Sequence, residues 1–200
     1  MEQLRLFEDA GQLKLPVHLL EYIPHFFERG ESTFFLNKFI ETVHWKQRRV
    51  PMYNKEVLTP RLTAWFGDVT EDNEPYGEGK SPWTKELLLI KSKVEAYTGI
   101  IFNGVLLNYY RDGNDSVAWH SDKDTVPGMK TEIASVSFGQ PRMFDFRSKE
   151  NSKQKYSLEL GHGALLLMKG DLQKYWEHRI AKSNAPMEPR INLTFRIIRK

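Results

Sequence analysis

The sequence predicts an α+β fold, a double-stranded β-helix or jelly-roll barrel with helices packed on one face. Three observations carry this. Apolar residues recur at helical spacing in the first half of the chain, then switch to a period of two near Ile101 and keep it to the C-terminus. The strand-like runs are short and numerous, as sandwiches and barrels require. Two breaks between them, Gly139-Gln140-Pro141-Arg142 and Gly161-His162-Gly163, have the composition of tight β connections.

Residues 1–14 are expected to be loosely held and 15–200 to form a single domain, since no repeat, low-complexity tract or Ser/Gly linker divides them. Between Glu31 and Trp45, Ser32 or Thr33 can cap a helix that presents Phe35, Leu36, Phe39, Ile40 and Val43 on one side. Gln47–Val57 reads as a basic hairpin or loop with Pro51, Met52 and Tyr53 at its middle. A second helix over 83–98 carries the stripe Leu87, Leu88, Leu89, Ile90, Val94 and Tyr97 and stops near Gly99. Strands are then expected at Gly104–Tyr110, Glu132–Phe138, Met143–Arg147, Tyr156–Leu160, Ala164–Met168, Tyr175–Ile180 and Arg190–Ile198. This α-then-β order suits helices lying on one side of a barrel.

Composition narrows the chemistry. Two hundred residues, 40% of them hydrophobic, can bury one sizeable core. Without cysteine there is neither a disulfide framework nor a thiolate metal site, so a bound metal must use His, Asp and Glu. A net charge of +3 permits a polyanionic partner without demanding one. No leader pattern is visible and no apolar run approaches the ~18 residues that span a bilayer, so a cytoplasmic protein with no membrane partner, acting as a monomer, is expected.

In Trp119-His120-Ser121-Asp122 the His and Asp stand two apart in extended chain and project to the same side, where they can share a metal. His178, in a run whose neighbours would bury it, supplies a second imidazole. Two His and one carboxylate are the facial triad that leaves iron positions open for a cosubstrate and O2. In the last strand a period of two separates Arg190, Asn192, Thr194 and Arg196 from Ile191, Leu193, Phe195 and Ile197. Buried, such a polar row suits a dicarboxylate; the alternative is an edge strand with a solvated face. Asn108 and Tyr110 repeat the pattern on their own strand.

Asn108-Tyr109-Tyr110, His120-Ser121-Asp122-Lys123-Asp124, His178 and Arg190-Ile191-Asn192-Leu193-Thr194-Phe195-Arg196 follow in the order and approximate spacing of the AlkB family of Fe(II)- and 2-oxoglutarate-dependent dioxygenases, which the chain resembles from about residue 37 to 198. The resemblance implies that His120, Asp122 and His178 bind Fe(II). Arg190 and Tyr110 then hold the distal carboxylate of 2-oxoglutarate, with Asn108 and Arg196 near its chelating end. Trp45-Lys46-Gln47 and Pro60-Arg61-Leu62-Thr63-Ala64-Trp65-Phe66-Gly67 look like the nucleotide-recognition lid of the DNA-repair branch, placed here at about residues 45–80.

The implied activity is oxidative dealkylation of N-alkylated bases such as 1-methyladenine and 3-methylcytosine, with release of formaldehyde and conversion of 2-oxoglutarate to succinate and CO2. These lesions sit on the pairing edge, so the DNA must be single-stranded or the base flipped. His120 itself, Trp65 and Tyr76 are the candidates for stacking on the damaged ring, by resemblance for Trp65, with Phe66 beside it, and more loosely for Tyr76, and Asp124 looks like the family's contact to the exocyclic amine. Lys46, Arg48, Arg49 and Lys55 are candidates for the phosphate backbone. The competing readings are core packing for Trp65 and Phe66, a solvated loop acid for Asp124 and a solvated surface for the basic run. RNA demethylation, another 2-oxoglutarate-dependent hydroxylation, or a non-catalytic metal-binding jelly roll remain the alternative functions. His162 and His44 read as structural.

Overall fold

A computed structural model describes residues 17–52, 55–68, 80–122 and 132–198. In chain order the elements are β1 (Leu20–Ile23), α1 (Arg29–Thr42), β2 (Arg49–Met52), β3 (Lys55–Leu58), β4 (Leu62–Gly67), α2 (Lys85–Thr98), β5 (Gly104–Tyr110) and β6 (Val117–His120). They continue as β7 (Ile133–Gly139), β8 (Arg142–Ser148), β9 (Lys155–Leu160), β10 (Ala164–Met168), the short helix α3 (Leu172–Tyr175), β11 (Trp176–Ile180) and β12 (Arg190–Arg196). A six-stranded sheet in the order β1-β10-β7-β12-β5-β4 faces a four-stranded sheet β6-β11-β8-β9, and among the described residues β2 pairs only with β3. Every strand pair is antiparallel. This is the expected jelly roll.

The large sheet is buried on both sides. Phe35 and Phe39 of α1 and Leu87, Ile90 and Val94 of α2 pack against Leu107, Val136, Ile191, Leu193 and Phe195, so the helices cover one face. A second apolar cluster, including Ile133, Leu166, Phe144, Phe146, Leu158 and Ile180, fills part of the space between the sheets. All seven residues of β12 are buried, and it lies between β7 and β5. The edge-strand alternative for its polar face is thereby excluded.

α2 follows its sequence signals: the Thr84 side chain accepts from Leu87 N–H, and Gly99 ends the helix at φ 71°. α1 starts earlier than expected. Glu31 accepts from the backbone N–H of Glu28, which stands at the cap, while Ser32 is buried inside the first turn. The basic segment forms the β2–β3 hairpin, and β1 and β6, four residues each, lie outside the anticipated strands. Among the described residues no helix is long and apolar enough to cross a membrane.

His162 ties this architecture together. The Gly139 N–H donates to its Nδ1 at 2.8 Å, so the proton sits on Nε2, which faces the Thr33 hydroxyl of α1 at 3.2 Å. Gly139 cannot be replaced cheaply, since it sits at φ 93° and a Cβ there would lie 2.2 Å from the Pro189 carbonyl oxygen. Burial pushes the His162 imidazole below its ordinary value, so protonation is favoured in the unfolded chain. The stability that the neutral ring contributes is complete above pH ~6.5 and is lost as pH falls from there toward the lower folded-state value. His162→Ala, which orphans the Gly139 donor, should cost about 1–3 kcal/mol in urea melts at pH 7.5 and should flatten the acid side of the stability profile. A variant with unchanged stability and an unchanged pH profile would remove this role.

Candidate active site

His120 ends β6 and stands directly across from His178 on β11, which places their ring centroids 4.3 Å apart. Asp122 follows two residues beyond the strand, with Oδ2 3.6 Å from His178 Nε2 and Oδ1 4.0 Å from His120 Nε2. One ligand atom from each residue lies within 4.8 Å of the other two. The segment is fixed by donation from Asp122 N–H to the Gln173 side chain at 2.9 Å and from the Ser121 hydroxyl to the Trp176 carbonyl at 2.9 Å. His120 Nδ1 is 2.9 Å from the Ala118 carbonyl, which leaves Nε2 as the ligand atom.

The electrostatics favour metal binding. Arg196 donates to Asp122 Oδ1 at 2.8 Å, with both groups buried. Burial pushes the Asp122 carboxyl up, but Arg196, His178 and His120 together outweigh it and hold the group below the usual carboxylate range. Burial also lowers His178 to about 4, against the pull of Asp122, so its imidazole is neutral at pH 7 as a ligand must be. Asp122 Oδ2 is buried without a hydrogen-bond partner. The neutral His178 imidazole, the facing His120 ring and an ionised carboxylate with an open lone pair suit a divalent iron.

Arg190, at the other end of the polar row, is 1% exposed. Its Nη2 donates to the Ser137 hydroxyl at 3.0 Å, while Nε and Nη1 are buried with no hydrogen-bond partner. Burial depresses this guanidinium to about 10, and a buried cation whose hydrogen-bond partner is a neutral hydroxyl calls for an anion. Tyr110, opposite Arg190 in register, places its ring 5.2 Å from the Arg190 guanidinium and 5.9 Å from that of Arg142. These groups fit one end of a dicarboxylate.

Asn192 and Thr194, expected among the cosubstrate contacts, instead brace the sheet. The Asn192 amide donates to the Ser135 hydroxyl and the Val136 carbonyl and accepts from Thr194. Asn108 Oδ1 accepts from Arg61 Nε at 2.9 Å. Sequence reasoning does not single out Arg61, Gln173, Ser135 or Ser137 for these positions. A signal exists only for the serines, which alternate with Ala134, Val136 and Phe138 and so must share the polar face.

The recognition residues divide by face. Trp65 lies with its ring 5.8 Å from the Arg196 guanidinium, beside the triad. Phe66 points the other way into the helix-facing core, a correction to its expected place on the substrate, and follows directly from alternation along β4. Arg49 is exposed and 3.6 Å from the equally exposed Glu56, whereas Arg48 turns toward the edge of β4. Tyr76 and Asp124 lie outside the described residues, as does 69–79 of the anticipated lid.

The family model of the 2OG-Fe(II) oxygenase superfamily matches residues 19–196, and the chain belongs to that superfamily. Its place there is the AlkB family. It is 39% identical over 193 residues to the Alpha-ketoglutarate-dependent dioxygenase alkB homolog 3 of Rattus norvegicus, covering 88% of this chain and 62% of the relative. The human protein of the same name is 38% identical over 184 residues, covering 88% and 64%. The human DNA oxidative demethylase ALKBH2 is 35% identical over 172 residues, covering 82% and 66%. The chain thus spans less than two thirds of the length of these relatives. The solved structure titled "The structure of OsALKBH1" superposes with a TM-score of 0.66 over 92% of this chain and all of its own, at 16% identity, and shows the common fold.

If Arg196 keeps Asp122 ionised and aimed, Arg196→Met should weaken Fe(II) binding about ten- to a hundredfold, as removal of an outer partner of a metal ligand typically does. Titration of the iron-free protein with Fe(II) under anaerobic conditions checks this. Wild-type affinity in the variant would assign Arg196 to some other task.

Proposed function

We propose that this chain is an Fe(II)- and 2-oxoglutarate-dependent demethylase of N-alkylated bases such as 1-methyladenine and 3-methylcytosine in DNA, acting on single strands or flipped bases. The observation that carries the reading is the buried pairing of a His-Asp-His cluster with a cationic row that ends at the half-satisfied Arg190. Its membership of the AlkB family and relatives named as dioxygenases and DNA demethylases support it.

His120, Asp122 and His178 would hold the iron. When bound, iron with 2-oxoglutarate and O2 supplies the oxidation of the N-methyl carbon, yielding succinate, CO2 and, from the hydroxymethylated base, formaldehyde. The chain itself supplies position and charge. Arg190 and Tyr110 anchor the distal carboxylate of the cosubstrate, while Arg196 keeps Asp122 ionised. The apolar cluster between the sheets keeps water from the far side of the site. Trp65, adjoining Arg196, offers the ring on which a base can stack.

The test is mass spectrometry of methylated oligonucleotides, DNA and RNA, single- and double-stranded, incubated with protein, Fe(II) and 2-oxoglutarate. Loss of 14 mass units, the methylene difference between methylated and repaired base, with matching succinate is expected on single-stranded DNA; cosubstrate turnover without any demethylated product would sink the substrate assignment. Arg190→Ala should raise the 2-oxoglutarate concentration for half-maximal succinate production by roughly 30-fold or more, from the ~2–5 kcal/mol of a buried charge contact. An unchanged requirement would mean the cosubstrate sits elsewhere. Trp65→Ala should reduce use of the oligonucleotide by about ten- to a hundredfold, from ~1–3 kcal/mol of stacking per base, with Fe(II) affinity retained.

A further inference from the structure

Arg142 opens β8 on the four-stranded sheet, three residues after Gly139, which stands opposite Arg190 in register. Although a cation, it is 3% exposed, and its guanidinium is committed to main-chain carbonyls. Nη1 donates to Asp112 at 3.1 Å, and Nη2 donates to Asp115 at 3.1 Å and to Ala181 at 2.7 Å. A buried charge held by neutral acceptors carries a desolvation cost that three hydrogen bonds only partly offset.

The three carbonyls belong to two connections. Asp112 and Asp115 lie on the turn that carries the chain from β5, which ends at Tyr110, to β6, which ends at His120. Ala181 begins the segment from β11, which holds His178, to β12, which starts at Arg190. Both connections cross from one sheet to the other. They also meet directly, since Ser183 N–H donates to the Gly113 carbonyl at 2.8 Å, and a Cβ at Gly113 would lie 2.6 Å from the Ser183 carbonyl oxygen. The first turn is bound within itself: buried Asp115 accepts from the Arg111 N–H at 2.9 Å and from both ends of its guanidinium at 2.8 Å. Arg142 thus locks together the two segments at the end of the barrel where Tyr110 and Arg190 stand.

Tyr110 is the last strand residue before one connection and Arg190 the first after the other, and the Tyr110 ring lies 5.9 Å from the Arg142 guanidinium and 5.2 Å from that of Arg190. A shift of either connection therefore moves an anchoring group. The triad has holds of its own, with His120 and His178 paired in register and Asp122 bound to Gln173. We infer that Arg142 is a positioning residue for the distal carboxylate of the cosubstrate, which sets the spacing of Tyr110 and Arg190 through the carbonyls it binds. The inference rests on the cosubstrate site proposed above and extends it from the anchoring groups to the residue behind them.

The experiment measures binding of 2-oxoglutarate, and of 2-oxobutyrate, which lacks only the distal carboxylate, to the Fe(II)-loaded full chain by anaerobic calorimetry. Arg142→Met should weaken 2-oxoglutarate by about ten- to a hundredfold, since misplacing a binding group by ~1 Å costs up to about a hundredfold. Binding of 2-oxobutyrate should change little, and Fe(II) affinity should be retained. Arg142→Lys keeps the charge without the fork that serves two segments at once, so its loss should fall between. Free guanidinium ion should restore part of the affinity lost in Arg142→Ala. Gly113→Ala, which forces the connections apart without altering Arg142, should show the same selective loss and keeps the test open if an arginine variant does not fold, as thermal melting will show. Unchanged 2-oxoglutarate affinity in the folded variants overturns the proposal, as does an equal weakening of both keto acids, which would make Arg142 a general support of the barrel. A parent protein that binds the two keto acids alike removes the Tyr110 and Arg190 anchor itself, and the role of Arg142 with it.

Discussion

The contact between Arg196 and Asp122 is the constraint on which the rest of the site depends. A carboxylate buried beside two imidazoles has lost most of its hydration, and burial alone would favour its neutral form. A guanidinium at 2.8 Å, acting with the two imidazoles, reverses that preference and fixes one oxygen, so the other is left toward the histidines. Arg196 can do this because its strand is held from every side. β12 is paired on both sides, and Ile191, Leu193 and Phe195 anchor its far face beneath the two helices. The helical layer is thus part of the machinery that holds one acid ionised.

The two sheets divide the chemistry. Both histidines come from the four-stranded sheet, while Arg190, Tyr110 and Arg196 come from the six-stranded one. Arg196 to Asp122 is a polar bridge between the halves, and an apolar cluster that includes Phe144, Phe146, Leu166 and Ile180 fills another part of the interface. A cosubstrate held by Arg190 and by the metal would be a second bridge, so binding should stiffen the barrel as well as complete the site.

Much of this was legible in the sequence because alternation is local. The strands Gly104–Tyr110 and Ala164–Met168, the cap at Thr84 and stop at Gly99, and the opposed faces of Arg190–Arg196 all follow from residues a few positions apart. The same rule, carried along Ala64-Trp65-Phe66, assigns Phe66 to the core. Other features had weak signals: a Glu28–Glu31 start is less recognisable than Ser or Thr at a cap, and β1 and β6 are too short to show a period. What local reasoning cannot reach is contact across the chain. Arg61 meets Asn108 from 47 positions away, Gln173 meets Asp122 from 51, and His162 meets Thr33 from 129. A polar row with an apolar back reads alike on an edge strand and a central one, and only the sheet order resolves it.

β6 carries His120 yet is a four-residue strand at the margin of its sheet, where unpaired backbone invites fraying or association with another chain. On its outer side Trp119 lies 4.5 Å from the Arg179 guanidinium and 4.6 Å from that of Arg147. Those arginines are themselves held by Asp145 and Glu177. The indole is thereby fastened across β11 and β8, and hydrated charges surround an otherwise sticky margin. A candidate iron-binding residue on an edge strand of the small sheet is kept in register by a clasp on the opposite surface, and the same clasp discourages edge-to-edge aggregation.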